Sequence, residues 1–266
     1  MNKLRIMSYN VWFDLYEREL RTASLINIIN DYNPDVICLQ EVVPQVFKIL
    51  KKYLSTTYKH IFPKNFDCSY GCVIISKYDV SHYNEYEYQR SMMGRKLCCA
   101  VIDYMFHQDH EEYRVDPQKI VICTSHFESE FKKNNETKIA QYNEAQQILE
   151  ELYNEYGPVI LCSDTNILEH EEKYFFSDSK WADTWIQNGQ NINNSYTYDT
   201  NKNVLLIKRN IQKEIRSRID RIIYRGNFVL KSTDFDMVKS QENMTEASDH
   251  FGIISTFSLL DTRIQI

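Results

Sequence analysis

The sequence predicts an α/β (α+β) protein built as two mixed, mainly antiparallel sheets with helices packed outside them. Three observations carry this reading: a strand, helix, strand opening, a following series of short strands with polar connections that suggests antiparallel hairpins, and strands that outnumber helices along 266 residues.

Leu4 to Asn10 is a short, mostly apolar strand. From Glu17 to Asn33, apolar residues at Leu20, Ala23, Leu25 or Ile26, Ile29 and Tyr32 are spaced as one helix face, and Pro34 stops the helix. Asp35 to Gln40 holds the unbroken apolar run of a strand covered on both faces. Pro44 opens the next helix, whose buried stripe is Val46, Phe47, Leu50 and Leu54. Strands are expected at Tyr58–Phe62, Gly71–Lys77, Val80–Tyr88, Arg95–Met105 and Gln118–Ser125. Glu136–Tyr156 is the longest helical pattern, and Gly157-Pro158 ends it before a strand at Val159–Ser163. Arg218–Arg225 and Phe251–Ser258 supply the last strands. The polar tracts 106–117 and 187–203 read as loops without linker composition, so residues 1–266 are expected to form one domain.

Composition narrows the function classes. With 43 % hydrophobic and 26 % charged residues, a chain of this size needs no disulfide or metal staple to fold. Its six glycines, at 71, 94, 157, 189, 226 and 252, are too scattered for a P-loop or a dinucleotide-binding fingerprint. Seven cysteines is an odd count, mostly inside apolar runs, which fits reduced thiols in the nucleus or cytoplasm. Cys68 with Cys72, or Cys98 with Cys99, lacks a second pair at zinc spacing. Neither a signal-type apolar region nor a run of about 18 apolar residues is present, so no membrane association is expected.

The net charge of -6 argues against bulk electrostatic binding of nucleic acid. Between Lys208 and Arg225, however, seven basic residues face only Glu214 and Asp220. That stretch fits a grip on a few phosphates and fits equally a charge-guarded edge strand, so the acidic total limits only long-range, nonspecific duplex binding.

Five apolar strands run into polar clusters: Ser8-Tyr9-Asn10, Gln40-Glu41, Thr124-Ser125-His126, Ser163-Asp164-Thr165-Asn166 and Ser248-Asp249-His250. Strand ends in layered folds meet at one rim, where sites are built. Singly, each cluster has an ordinary explanation. Asn10 could open a turn, Glu41 could cap the helix near Pro44, His126 could be a satisfied strand-end residue, and Asp164 with Asn166 could form an Asx turn. Asp249-His250 could be a chance dipeptide, and Asp220 could pair with Arg218 or Arg221. Together they hold the chemistry of a phosphodiesterase: a carboxylate for a hard cation, an aspartate and asparagine to aim a water, and histidines to donate to a phosphoryl oxygen.

In this order the clusters resemble the endonuclease/exonuclease/phosphatase superfamily. The finer resemblance is to its 5′-tyrosyl-DNA phosphodiesterase group, through Met92-Met93, Thr124 to Ser129, Ser163 to Asn166, Thr197-Tyr198-Asp199-Thr200, Ile219 to Ile222 and Ser248 to Gly252. The resemblance covers nearly the whole chain and implies a four-layered αββα sandwich with a Mg²⁺-dependent site, Mn²⁺ being able to substitute. It implies Glu41 as principal metal ligand with Asp249 supporting, Asn10 near metal and phosphate, and Asp164 activating the water that Asn166 positions. His250, oriented by Asp220, and His126 would donate to the developing charge. Ser129, Tyr70, Tyr198, Ile219 and Arg218 would bind substrate, with Tyr70 and Tyr198 lining one narrow groove for a single strand.

The implied substrate is a DNA or RNA 5′ end bearing tyrosine or a tyrosyl peptide, single-stranded or frayed, cleaved by a monomeric intracellular enzyme to leave a 5′-phosphate, as in repair of topoisomerase adducts. Three departures bear on substrate preference: Tyr198 replaces the group's tryptophan, Ile219 an aromatic, and Leu168 a basic residue. The sequence opens almost at the first catalytic strand, so no ubiquitin-binding module is expected ahead of it. The alternatives are an apurinic endonuclease or 3′ exonuclease, a lipid or sugar phosphatase, and, in another class, a noncatalytic nucleic-acid-binding module, which the presence of Glu41, Asp164, Asp220 and His250 disfavours.

Overall fold

Alternating apolar side chains give each central strand two dry faces. Ile120, Ile122, Ile160 and Cys162 point into a core shared by two sheets, while their neighbours Val121, Cys123, Val159 and Leu161 point outward under a helix. The computed structural model describes residues 2–106, 116–129, 136–176, 178–211, 213–241 and 244–260. Most of the loop expected at 106–117 lies outside them.

In chain order the elements are β1 (Asn2–Asn10), α1 (Arg18–Tyr32), β2 (Val36–Val42), α2 (Pro44–Leu54), β3 (His60–Phe62), β4 (Gly71–Ser76), β5 (Val80–Glu87), β6 (Lys96–Tyr104) and β7 (Gln118–His126). There follow α3 (Glu136–Tyr156), β8 (Val159–Asp164), β9 (Ala182–Asp183), α4 (Thr184–Gln187), β10 (Tyr198–Asp199), α5 (Val204–Lys208), β11 (Arg216–Ser217), β12 (Asp220–Arg225), β13 (Leu230–Val238) and β14 (Gly252–Leu259).

One six-stranded sheet has the order β13-β14-β1-β2-β4-β3 and the other β5-β6-β7-β8-β12-β9. Each contains one parallel pair, β1 with β2 and β7 with β8, among antiparallel neighbours. The sheets pack face to face. Residues of α1 and α2 cover the outer face of the first, and α3 covers the second, giving the expected four layers. The seven cysteines are free thiols, five of them buried. Among the described residues, no helix is long and apolar enough to cross a membrane.

Three details correct the sequence reading. The buried side of α1 is Arg21, Thr22, Leu25, Ile28 and Ile29, whereas Leu20 is 61 % exposed and Ala23 is also exposed. The helix is turned so that the Arg21 guanidinium donates to the carbonyls of Val11 (3.0 Å), Trp12 (3.1 Å), Asp14 (2.6 Å) and Tyr16 (2.8 Å), holding the loop after β1. Hydrophobic spacing cannot register a buried charge that serves backbone oxygens.

Strand β13, absent from the sequence reading, is an edge strand whose mixed burial and bulge between Ser232 and Asp234 break the apolar alternation. Finally, the tract 187–203 is not loop throughout, because Tyr198-Asp199 pairs with Arg216-Ser217 as a two-stranded ribbon.

Gly252, at the start of β14, packs flat against a ring. A Cβ built there would lie 2.7 Å from Cδ1 of buried Tyr9. Gly252→Ala is therefore expected to lower unfolding free energy by about 1–3 kcal/mol in urea titrations, because ring and strand must part.

Candidate active site

Strand ends β1, β2, β7, β8 and β12, together with the residues before β14, converge on one buried carboxylate, Asp164. Its Oδ2 accepts from Asn10 Nδ2 at 2.8 Å and lies 3.3 Å from His126 Nε2 and 4.0 Å from His250 Nε2. Its Oδ1 accepts from the Asn166 backbone N–H at 3.1 Å. Register explains the meeting: Asp164 faces His126 across the parallel β7–β8 pair and Asp220 across the antiparallel β8–β12 pair.

Glu41 reaches the site through backbone strain. It has a φ of 58°, in the left-handed region, and lies where the β2–β4 pairing loses register between Leu39 and Val42. The turned carboxylate accepts from the Phe13 backbone N–H at 3.0 Å. Asn166 is likewise left-handed, at 50°; its side-chain amide donates to the Phe127 carbonyl at 3.0 Å, and its own carbonyl accepts from buried Lys138 at 2.8 Å. Lys138 Nζ also meets buried Glu171 at 2.7 Å.

The two histidines differ in charge. Burial, with the charges of Arg95 and His250, holds His126 well below the usual histidine range. Arg95 Nη1 lies 2.7 Å from its Nδ1, and because a guanidinium only donates, that nitrogen accepts and the proton sits on Nε2, facing Asp164. His126 is thus a neutral donor with no lone pair left for a metal.

Burial opposes charge on His250, but Asp220, whose Oδ2 lies 2.8 Å from its Nδ1, with Asp249 and Asp164, raises it well above that range. Burial and the Asp220 charge push Asp164 up to about 7, and burial pushes Asp249 up to about 6.

The oxygen-rich donor set fits a divalent cation. Single ligand atoms of Glu41, His126 and Asp164 lie within 4.8 Å of one another, as do those of Asp164, Asp220 and His250, and because both histidines donate, the carboxylate oxygens are the atoms that would hold the ion. Asp164 and Asp249, both raised mainly by burial, add hard oxygen atoms beside Glu41, the ligand type that a hard cation takes. Asp249 stands outside both groups; its Oδ1 accepts from Ser248 at 3.1 Å.

Two cavities flank this cluster. A groove of about 760 Å³ is lined by Ser129, Asp164, Asn166, Leu168, Tyr198, Lys213, Ile219 and His250, among others. Tyr198 meets the His250 ring edge-on at 5.4 Å. Tyr70 does not share this groove with Tyr198 as the sequence suggested. It lines the adjoining cavity, which borders the groove at Glu41 and His126, between Phe13, stacked at 5.4 Å, and Arg95, 5.3 Å over its ring. The reason is topological, since Tyr70 precedes β4 of the first sheet whereas Tyr198 belongs to the ribbon beside the second.

Arg218 is also placed elsewhere. Its guanidinium pairs with Asp183 at 2.6 Å and Glu172 at 3.4 Å, outside the groove. The basic run is largely neutralised, with Arg216 on Asp199, Arg221 on Glu172 and Arg225 on Glu150. Strand β12 is an inner strand, flanked by β8 and, at Ile223 and Tyr224, by β9, so the edge-strand explanation is left to Arg216 in the two-stranded ribbon.

Arg95 was missed by sequence reasoning. It is buried, its Nε has no partner among the described residues, and it follows Gly94 in a turn whose Ser91 hydroxyl and Met92 N–H both donate to buried Glu128, each at 3.1 Å. The signal was a Gly-Arg-Lys step leading directly into an apolar strand.

A family model described as the Endonuclease/Exonuclease/phosphatase family matches residues 7–250. The chain belongs to this family. It is therefore an enzyme of a hydrolytic, divalent-metal-dependent family. Endonuclease/exonuclease/phosphatase relatives include tyrosyl-DNA phosphodiesterase 2 of Bos taurus, 25 % identical over 96 % of this chain and 68 % of its own length. That of Danio rerio is 27 % identical over 97 % of this chain and 67 % of its own length.

Solved family structures share the fold. The crystal structure of D. rerio TDP2 with a single-strand DNA product superposes with a TM-score of 0.80 at 24 % identity, covering 97 % of this chain and all of that one. A mannosyl-6-phosphatase of Bacteroides thetaiotaomicron superposes at 0.72 with 13 % identity, covering 96 % of this chain and all of that one.

Replacing Lys138 with Met strands the Glu171 carboxylate in a dry environment beneath Asn166. Urea denaturation should report a loss of about 3–5 kcal/mol, most of it recovered in the double variant with Glu171→Leu.

Proposed function

We propose that the protein is a Mg²⁺-dependent 5′-tyrosyl-DNA phosphodiesterase, its catalytic domain spanning residues 1–266, with Mn²⁺ able to substitute. The observation that carries the proposal is the ring of donors around Asp164, in a chain whose relatives at about 25 % identity over 96 % of its length are named for this activity. The substrate is a single-stranded or frayed DNA 5′ end, or an RNA 5′ end, attached to a protein tyrosine, and the enzyme acts as an intracellular monomer.

Water attacks phosphorus, the bond to the phenolic oxygen breaks, and the products are a 5′-phosphate and a tyrosine. Asp164, held up to about 7, is poised near neutral pH to take the water's proton while Asn10 and Asn166 fix its orientation. His250, charged and held by Asp220, and neutral His126, held by Arg95, donate to the phosphoryl oxygens as charge grows on them. A divalent cation held by Glu41, with Asp249 supporting it, would supply charge neutralisation at the phosphate. Ser129 contacts the phosphate, and Tyr198 and Ile219 flank the first base in the groove.

The proposal predicts that a 5′-phosphotyrosyl oligonucleotide with Mg²⁺ yields free tyrosine and a 5′-phosphate, and that EDTA stops the reaction. A substrate that stays blocked while an abasic duplex or a sugar phosphate is hydrolysed overturns it. Glu41→Gln and Asp164→Asn are expected to lower kcat by several orders of magnitude with unchanged circular dichroism.

The pH profile carries a sign. Because His250 acts protonated, kcat falls as pH rises through its raised pKa, and Asp220→Asn, by removing the charge that raises it, moves that alkaline limb to lower pH.

A further inference from the structure

Behind the β10–β11 ribbon lies a second cleft, of about 340 Å³, whose walls include Trp185, Ile186, Ile192, Tyr196, Arg216 and Arg218. Neither Glu41, His126, Asp164 nor His250 lines it. It nevertheless borders the groove at Asp164, because Arg216 and Ser217 line both.

Its walls are flat and fixed. The Arg216 guanidinium lies 4.5 Å over the Tyr196 ring, and that of Arg218 lies 4.6 Å over Trp185. Each cation is held there by a carboxylate, Arg216 Nε by Asp199 at 3.1 Å and Arg218 Nη1 by Asp183 at 2.6 Å. The Trp185 indole N–H donates to the Asn191 carbonyl at 3.1 Å, which fixes the ring as well. Ile186 and Ile192, 47 % and 67 % exposed, add apolar surface at the mouth.

Charge decides which part of a nucleotide fits. Glu169 and Glu172 also line the cleft and its arginines are already paired, so a phosphate gains little there. A nucleobase is flat and uncharged, stacks on aromatic and guanidinium planes alike, and carries amino groups that a glutamate can accept from. Among the described residues, a basic group without an ion pair lies instead on the groove side, where Lys213 lines the wall beside Arg216.

We infer that this cleft is a second nucleobase subsite: the bound strand crosses the ribbon at Ser217, and a base remote from the reacting end stacks between Trp185 and Tyr196. The inference rests on the reading of the groove as a nucleic-acid site, and the experiment separates the two.

Affinity for 5′-phosphorylated single strands of about two and about ten nucleotides is measured by fluorescence anisotropy in EDTA, and KM and kcat are measured on the matching 5′-phosphotyrosyl substrates with Mg²⁺. The wild-type enzyme should bind the longer strand roughly tenfold more tightly. Trp185→Leu and Tyr196→Leu should each remove most of that gain, with KM moving and kcat on the dinucleotide unchanged, and Trp185→Phe should restore it. Tyr196→Leu keeps the test decisive if Trp185→Leu unfolds the short helix α4.

A length gain that survives in both leucine variants overturns the subsite and leaves the proposed activity standing. Wild-type protein that binds neither strand overturns both. A gain that comes from lengthening the tyrosyl peptide and is lost in Trp185→Leu makes the cleft a peptide site and also overturns the inference.

Discussion

A carboxyl group almost wholly covered by protein depends on protein donors, and Asp164 is the group around which the strand ends are arranged. It is 1 % exposed, so donors must come from the protein. Asn10 arrives from β1, His126 from β7, the Asn166 amide from the turn after β8, and His250 from the approach to β14. These elements lie in both sheets, so the sandwich must close correctly for the carboxylate to be satisfied. The same incomplete compensation that makes Asp164 costly to ionise places it near the pH at which it can exchange a proton.

The outer shell follows from that requirement. Arg95 fixes the tautomer of His126, Asp220 fixes the charge of His250, and Lys138 holds the turn that presents Asn166. Glu128 anchors the turn that leads to Arg95. Each is a buried charged group serving another polar group, although among the described residues Arg95 Nε and Asp220 Oδ1 have no hydrogen-bond partner.

Apolar runs such as Ile120 to Cys123 and Val159 to Cys162 made the inner strands legible, and the polar residue ending each run marked the rim. Helix α2 was equally readable, because Val46, Phe47, Leu50 and Leu54 are all buried. What escaped was whatever depends on a polar contact or a strand pairing that hydrophobic spacing does not register. Arg21 turned α1 away from its apolar stripe, β13 owes its place to pairing with β14, and Arg95 owes its meaning to a histidine in the next strand. Tyr70 and Tyr198 looked alike as aromatic residues beside motifs, yet only the topology assigns them to different cavities. The basic run up to Arg225 suggested a phosphate grip, whereas most of its arginines are spent on Asp199, Asp183, Glu172 and Glu150.

Gln40, one residue before Glu41, is wholly buried, and its amide donates to Thr124 Oγ1 at 2.9 Å, joining β2 of one sheet to β7 of the other. Viewed as inheritance, this makes the two sheets a poor pair of interchangeable halves. A recombinant that took its first sheet from one relative and its second from another would have to match both ends of this bridge, or its Glu41 and Asp164 would be set at the wrong separation. Variation is cheaper in the ribbon and short helices outside the sandwich, which border the groove and touch neither end of the bridge.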